Sequence, residues 1–166
     1  MSPVRSASAH TSASPWSIAL RLLARREYTR AELAAALARR GIAEKTVAEL
    51  LERAERHGFL SDRRAASLHA RRLAERQGNR AIAYRLHARG VSDADVAQAL
   101  AETEAELGDE RERAAAVWRK KFGSPPTTPQ AWQKQARFLA ARGFSWETIR
   151  ALLSDPPEDV ALPPDV

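Results

Sequence analysis

The sequence predicts an all-α protein made of three tandem three-helix repeats in an elongated, curved array. Three observations carry this. The phrases "LARRGI" (37–42), "LHARGV" (86–91) and "LAARGF" (139–144) recur at spacings of 49 and 53 residues. Around each glycine the apolar residues fall at helical intervals, as in Val47, Leu50, Leu51 and Ala54 at i, i+3, i+4 and i+7. No run alternates apolar and polar residues as a half-buried strand does. A trihelical unit of about fifty residues has a thin core, and units of this kind gain stability by stacking in a row.

The elements follow in order. Nine helices are expected, near 15–26, 29–39, 44–57, 62–77, 79–89, 92–107, 109–122, 129–142 and 145–153. They group as repeats 15–61, 62–107 and 108–154, between tails 1–14 and 155–166 expected to be disordered. Thr29-Arg30-Ala31-Glu32 reads as a capping box ahead of Leu33 and Leu37. Asp62 is placed to cap the fourth helix, and Ser92 and Ser145 to cap the third helices of copies two and three. Copy one has Ala43 at that position and lacks such a cap. Thr128-Pro129 pairs a cap with proline at the first helical position. Each Arg-Gly-apolar step reads as a helix stop, because glycine suits the left-handed turn and cations suit the negative end of the helix dipole. Gly108 marks either a break or a kink between the sixth and seventh helices, and "GSPPTTP" (123–129) is an insertion that lengthens copy three.

Composition narrows function by exclusion. There is no cysteine, hence no disulfide framework or thiolate metal site, as befits a cytoplasmic protein. No stretch is long and apolar enough for a bilayer span, and the N-terminal residues lack the apolar core of a secretory signal. No glycine-rich phosphate loop or HExxH is present. Of the histidines, His10 is in the tail, His57 precedes a helix-stop glycine where it suits the dipole, and His69 and His87 lie on different helices with no carboxylate cluster nearby. The acids at 102, 104 and 106 alternate by two and scatter around a helix instead of pairing. The expectation is a protein that is not an enzyme and has no cofactor or metal.

Charge is the positive lead. From Arg63 to Gly90 the chain carries eight arginines against one acid, Glu75; from Ser92 to Glu112 it carries eight acids against one base, Arg111. Of 27 basic residues, four are lysine. Arginine suits phosphate and carboxylate because its fork donates two parallel hydrogen bonds, although a GC-rich genome also enriches arginine and alanine together. On the fourth helix His69, Arg72 and Arg76 share a stripe away from Ala66, Ala70 and Leu73. Arg85 and Arg89 lie one turn apart beside the Ile82–Leu86 line. The candidate basic face comprises Arg25, Arg26, Arg64, Arg71, Arg72, Arg76, Arg80, Arg85, Arg89, Lys134, Arg137 and Arg142. The plain alternative is solvated arginine without a partner. At least three of the four tryptophans are expected in cores, and Tyr84, beside Arg80 and Arg85, is the aromatic expected at the surface.

Several motifs in order resemble the RecX family, regulatory proteins that modulate the recombinase RecA. They are "LARREYTRAEL" (23–33), "HGFLSD" (57–62), "GNRAIAYRLHARGVS" (78–92) and "KQARFLAARGFS" (134–145). Ser61, Ala65 and Arg85 depart from that pattern, which tends to have an aspartate, an aromatic and an acid there. The resemblance implies a monomer that lodges in the groove of the RecA–DNA filament, inhibits its ATP hydrolysis and strand exchange, and binds single- and double-stranded DNA weakly. The alternative is a direct DNA binder of helix-turn-helix type, with Gly41 at the turn of "LARRGIAEKTVAELL" (37–51). Glu44 and Glu49, and in copy two Asp93 and Asp95, put carboxylates where that reading needs phosphate contacts. A scaffold with neither role is the third reading.

Overall fold

The computed structural model describes residues 14–154; of the tails expected at 1–14 and 155–166 it describes only Ser14. Ser14 is no part of a disordered tail but caps α1, its hydroxyl accepting from Ser17 N–H. The other tail residues, with His10, lie outside the described residues. Among the described residues the structure is all-α. The helices are α1 (Pro15–Leu23), α2 (Arg30–Ala38), α3 (Glu44–Arg56), α4 (Asp62–Ala74), α5 (Asn79–His87), α6 (Asp93–Leu107), α7 (Glu110–Lys121), α8 (Pro129–Ala140) and α9 (Trp146–Leu153). The chain divides between Leu60 and Ser61 into two compact units. The first holds α1–α3; the second holds α4–α6 and α7–α9.

Each trihelical copy has its own core. In the first unit Ala19 and Leu22 of α1 meet Leu33, Ala36 and Leu37 of α2 and Val47, Leu50, Leu51 and Ala54 of α3. The expected stripe of α3 is therefore the buried one. In the second unit, α7–α9 enclose Val117, Trp132, Leu139, Phe144, Ile149 and Leu153. The core of α4–α6 is smaller in side chain: Ala66, Ala70 and Ala74 line α4 against Ile82, Leu86, Val91, Val96 and Ala99. Alanine every fourth residue makes a smooth stripe that lets helices approach closely. Ala65, which stands for the aromatic of the family pattern, is buried at 8% exposure but lies outside this cluster. All four tryptophans pack on cores, and Tyr84 is 75% exposed.

The helix ends follow the expected chemistry with two changes. Thr29 and Glu32 form the capping box. Ser92, Thr128 and Ser145 cap α6, α8 and α9, and Ala43 offers no side-chain cap to α3. The cap of α4 is Ser61, whose hydroxyl accepts from Arg64 N–H; Asp62 takes the first helical position instead. Gly108, at φ 86°, breaks the chain between α6 and α7, and Asp109 with Glu112 starts α7 with a second capping box. The three repeated stops share one hydrogen-bond pattern. Gly41, Gly90 and Gly143 donate to Ala38, His87 and Ala140, while Ile42, Val91 and Phe144 donate to Leu37, Leu86 and Leu139. This is the Schellman closure, with a left-handed glycine and an apolar residue folded back.

Candidate regulatory surface

Two acids of the acidic stretch, Glu102 and Glu106, dock on α4 within the second unit. Glu102 of α6 accepts from Arg63 and from the Ser67 hydroxyl of α4, at 3.0 and 2.6 Å, and from Gln98 at 2.9 Å. The hydrogen bond from Ser67, then those from Gln98 and Arg63, lower its pKa to about 2. One turn on, Glu106 pairs with Arg71. Arg63 and Arg71 of the basic stretch are therefore neutralised by Glu102 and Glu106 along one side of α4.

A polar junction joins copies two and three within this unit. The N–H of Gly78 donates to the carbonyl of Arg142 at 2.9 Å, and that of Arg80 to the carbonyl of Gly143 at 3.2 Å. Orphan donors at the start of α5 thus meet orphan acceptors at the end of α8. The backbones lie so close that a Cβ on Gly78 would sit 2.3 Å from Phe144 Cα. Glu110, in the first turn of α7, holds the junction from the side. Its carboxylate accepts from Asn79 N–H at 2.7 Å, Ser145 Oγ at 2.6 Å and Thr148 Oγ1 at 2.7 Å, and so faces the N-termini of α5 and α9. Burial opposes its charge, but these hydrogen bonds outweigh burial and depress its pKa. Three residues on, buried Arg113 donates to Gln77 O and Asn79 Oδ1. Burial lowers its pKa, and Glu110, Glu104 and Asp109 act against that. Neither Glu110 nor Arg113 was among the residues singled out by sequence; Glu110 reads there as part of the acidic block.

Outside the junction lies a basic groove of ≈ 430 Å³, lined by Glu75, Arg76, Val117, Lys120, Lys121, Phe138 and Arg142. It collects cations from the end of α4, the last turn of α7 and the end of α8. The Arg142 guanidinium stacks on the Phe138 ring at 3.6 Å and donates to Phe138 O at 3.0 Å. Phe122 meets the same ring edge-on at 5.1 Å. The groove thus presents cations on several sides and an aromatic floor.

The structure brings together only some of the predicted basic face. Arg76 and Arg142 share the groove. Arg76 does so because α4 ends at Ala74; it lies past the helix, not on its stripe. Arg64, Arg72, Arg80, Arg85, Lys134 and Arg137 are exposed, and Arg89 is half-buried. Arg71 is tied to Glu106. In the first unit Arg25 borders a depression with Ile18, Arg21, Leu22 and Arg40. Arg26 stacks over Tyr28 at 3.7 Å and pairs with Glu32 at 3.0 Å. Lys120, Lys121, Arg21 and Arg40 are additions. The run "WRKKFG" (118–123) held the signal for the lysines, since cations gather where a helix ends. Among the described residues no cluster of histidines and carboxylates is arranged for a metal, and no helix is long and apolar enough to cross a membrane.

Comparison with known proteins agrees with the helical copies. Residues 16–53 match the first three-helix domain of RecX, and 109–153 match the third. The regulatory protein RecX of Chromohalobacter salexigens is 42% identical over 139 residues, covering 83% of this chain and 90% of that protein. The regulatory protein RecX of Pseudomonas putida strain GB-1 is 41% identical, covering 82% and 86%. The crystal structure of RecX from Lactobacillus salivarius superposes with a TM-score of 0.72 at 19% identity, over 84% of this chain and 92% of that one. That likeness concerns the fold. This chain belongs to the RecX family, whose members are regulators and not enzymes.

Proposed function

We propose that this chain binds the RecA–DNA filament as a monomer in the cytoplasm and restrains RecA ATP hydrolysis and strand exchange. The observation that carries the reading is about 40% identity, over more than four-fifths of the chain, to proteins named as regulatory RecX. The geometry supplies a means. The groove around Arg76, Lys120, Lys121 and Arg142, with exposed Arg72, Arg85, Lys134 and Arg137 of the same unit, offers positive charge to an anionic filament. Affinity for free DNA is weak and falls steeply with salt, because it rests on phosphate contacts without base readout.

The helix-turn-helix alternative fares worse. The helices that would enter a groove, α3, α6 and α9, carry Glu44, Asp93 with Asp95, and Glu147 in their first turns. Those carboxylates repel phosphate. The test is titration of this chain into a RecA ATPase assay on single-stranded DNA. Inhibition near stoichiometric ratios is expected; unchanged hydrolysis at several-fold excess sinks the reading.

A further inference from the structure

The groove of the second unit has a floor that cations alone do not need. Val117 is buried, and Phe138 is half-buried beneath the Arg142 guanidinium. A base needs an open aromatic face to stack on, and the Arg142 guanidinium already covers that of Phe138 at 3.6 Å. A peptide with carboxylates next to aliphatic side chains has no such need. The chain carries one in residues 155–166, "DPPEDVALPPDV", with four acids and no base. Glu158 and Asp159 stand directly before Val160, Ala161 and Leu162. The lining holds four cations and a single acid, Glu75, while the segment holds four acids and no base.

We propose that this segment seats in the groove of its own chain, carboxylates on Arg76, Lys120, Lys121 and Arg142, and Val160–Leu162 on Val117 and Phe138. Reach permits it. Ser154 O accepts from Trp132 Nε1 at 3.2 Å, which anchors the start of the segment on α8. Phe138 is six residues further along that helix, an axial rise of about 9 Å. Glu158 to Leu162 begin four residues past Ser154, and an extended chain covers about 3.3 Å per residue. Four prolines, at 156, 157, 163 and 164, reduce the conformational entropy lost on seating. The consequence is self-masking: the segment competes with any polyanion for the same cations. Only that consequence rests on the RecA reading; the docking does not.

The full chain has no cysteine, so Pro164→Cys creates a unique site for a nitroxide label. With docking, the label broadens the amides of 117–121 and 138–142 several-fold relative to the same sample with the nitroxide reduced. The effect fades at about 0.5 M salt, where screening shortens to a few ångströms. It is lost in Lys120→Glu/Lys121→Glu and returns when Glu158→Lys/Asp159→Lys is added. Broadening at the groove that is unchanged in Lys120→Glu/Lys121→Glu overturns the proposal. So does broadening seen only when spin-labelled and isotope-labelled chains are mixed, which marks a second copy as the occupant. Groove shifts on adding an oligothymidylate with the label effect unchanged also overturn it. In the RecA ATPase assay, Glu158→Lys/Asp159→Lys inhibits at several-fold lower concentration than the parent. Groove broadening without inhibition by either chain leaves docking standing and removes the RecA reading.

Discussion

Gly41 and Gly143 end α2 and α8 with the same backbone, at φ +76° and +75°. Their surroundings differ. Nothing lies within 4 Å of where a Cβ on Gly41 would stand, whereas one on Gly143 would lie 2.4 Å from Ala81 Cβ. The first glycine answers to the turn alone. The second answers to the turn and to the packing of copy three against copy two. One short phrase therefore carries two duties, and only one of them is local.

Substitution separates the duties, and the expected effects fall in order. Gly143→Ala meets both demands and should cost about 3 kcal/mol or more. Gly78 has an ordinary φ of −81°, so Gly78→Ala isolates the packing demand, at about 1–3 kcal/mol. Gly41→Ala isolates the turn, at about 1 kcal/mol. Chemical denaturation of the three full-length variants measures this. Equal losses at 41 and 143 would break the comparison.

Glu110 sharpens it through pH. Its pKa is lower folded than unfolded, so its contribution is fully present above the ordinary carboxylate range. That contribution is lost as pH falls through the folded value. Glu110→Ala should cost about 1–3 kcal/mol at neutral pH, since it removes hydrogen bonds to a charged acceptor. It should also flatten the acid limb of the stability curve. An unchanged acid limb would remove Glu110 from the junction's energetics.

The two basic depressions extend the comparison to binding. Arg72→Glu with Arg76→Glu, in the second unit, should weaken oligonucleotide or filament binding about tenfold and reduce the salt slope by about two, with helicity unchanged. Arg25→Glu, in the first unit, should weaken it less. Equal losses would make the cations interchangeable. The smallest effect is expected at Arg71–Glu106, an exposed pair, where Glu106→Gln should cost under about 1 kcal/mol by thermal unfolding.

Most of the helices were legible because their signals are local. The α3 stripe, the Thr29–Glu32 box and the three glycine stops depend on residues within a turn or two. The Asp109–Glu112 box is equally local, while Gly108 before it is compatible in sequence with either a kink or a break. Arg76 lies off the α4 stripe because the chain turns at Gln77 to bring the start of α5 to the turn after α8, which a helix pattern does not show. Half of the groove, Lys120 and Lys121, stayed hidden because its members lie more than forty residues from Arg76.

By itself the sequence determined the class of the fold, the number of copies, the chemistry of their ends and the family pattern. These follow from period, caps and φ preference, which act over a few residues. The tertiary structure alone decided which charges cancel, as Arg63 and Arg71 do on α6, and which converge, as Arg76, Lys120, Lys121 and Arg142 do in the groove. It also set Glu110 over two helix starts. Coulomb and hydrogen-bond energies depend on distance in space, and distance in space between remote segments is settled only when the cores have packed.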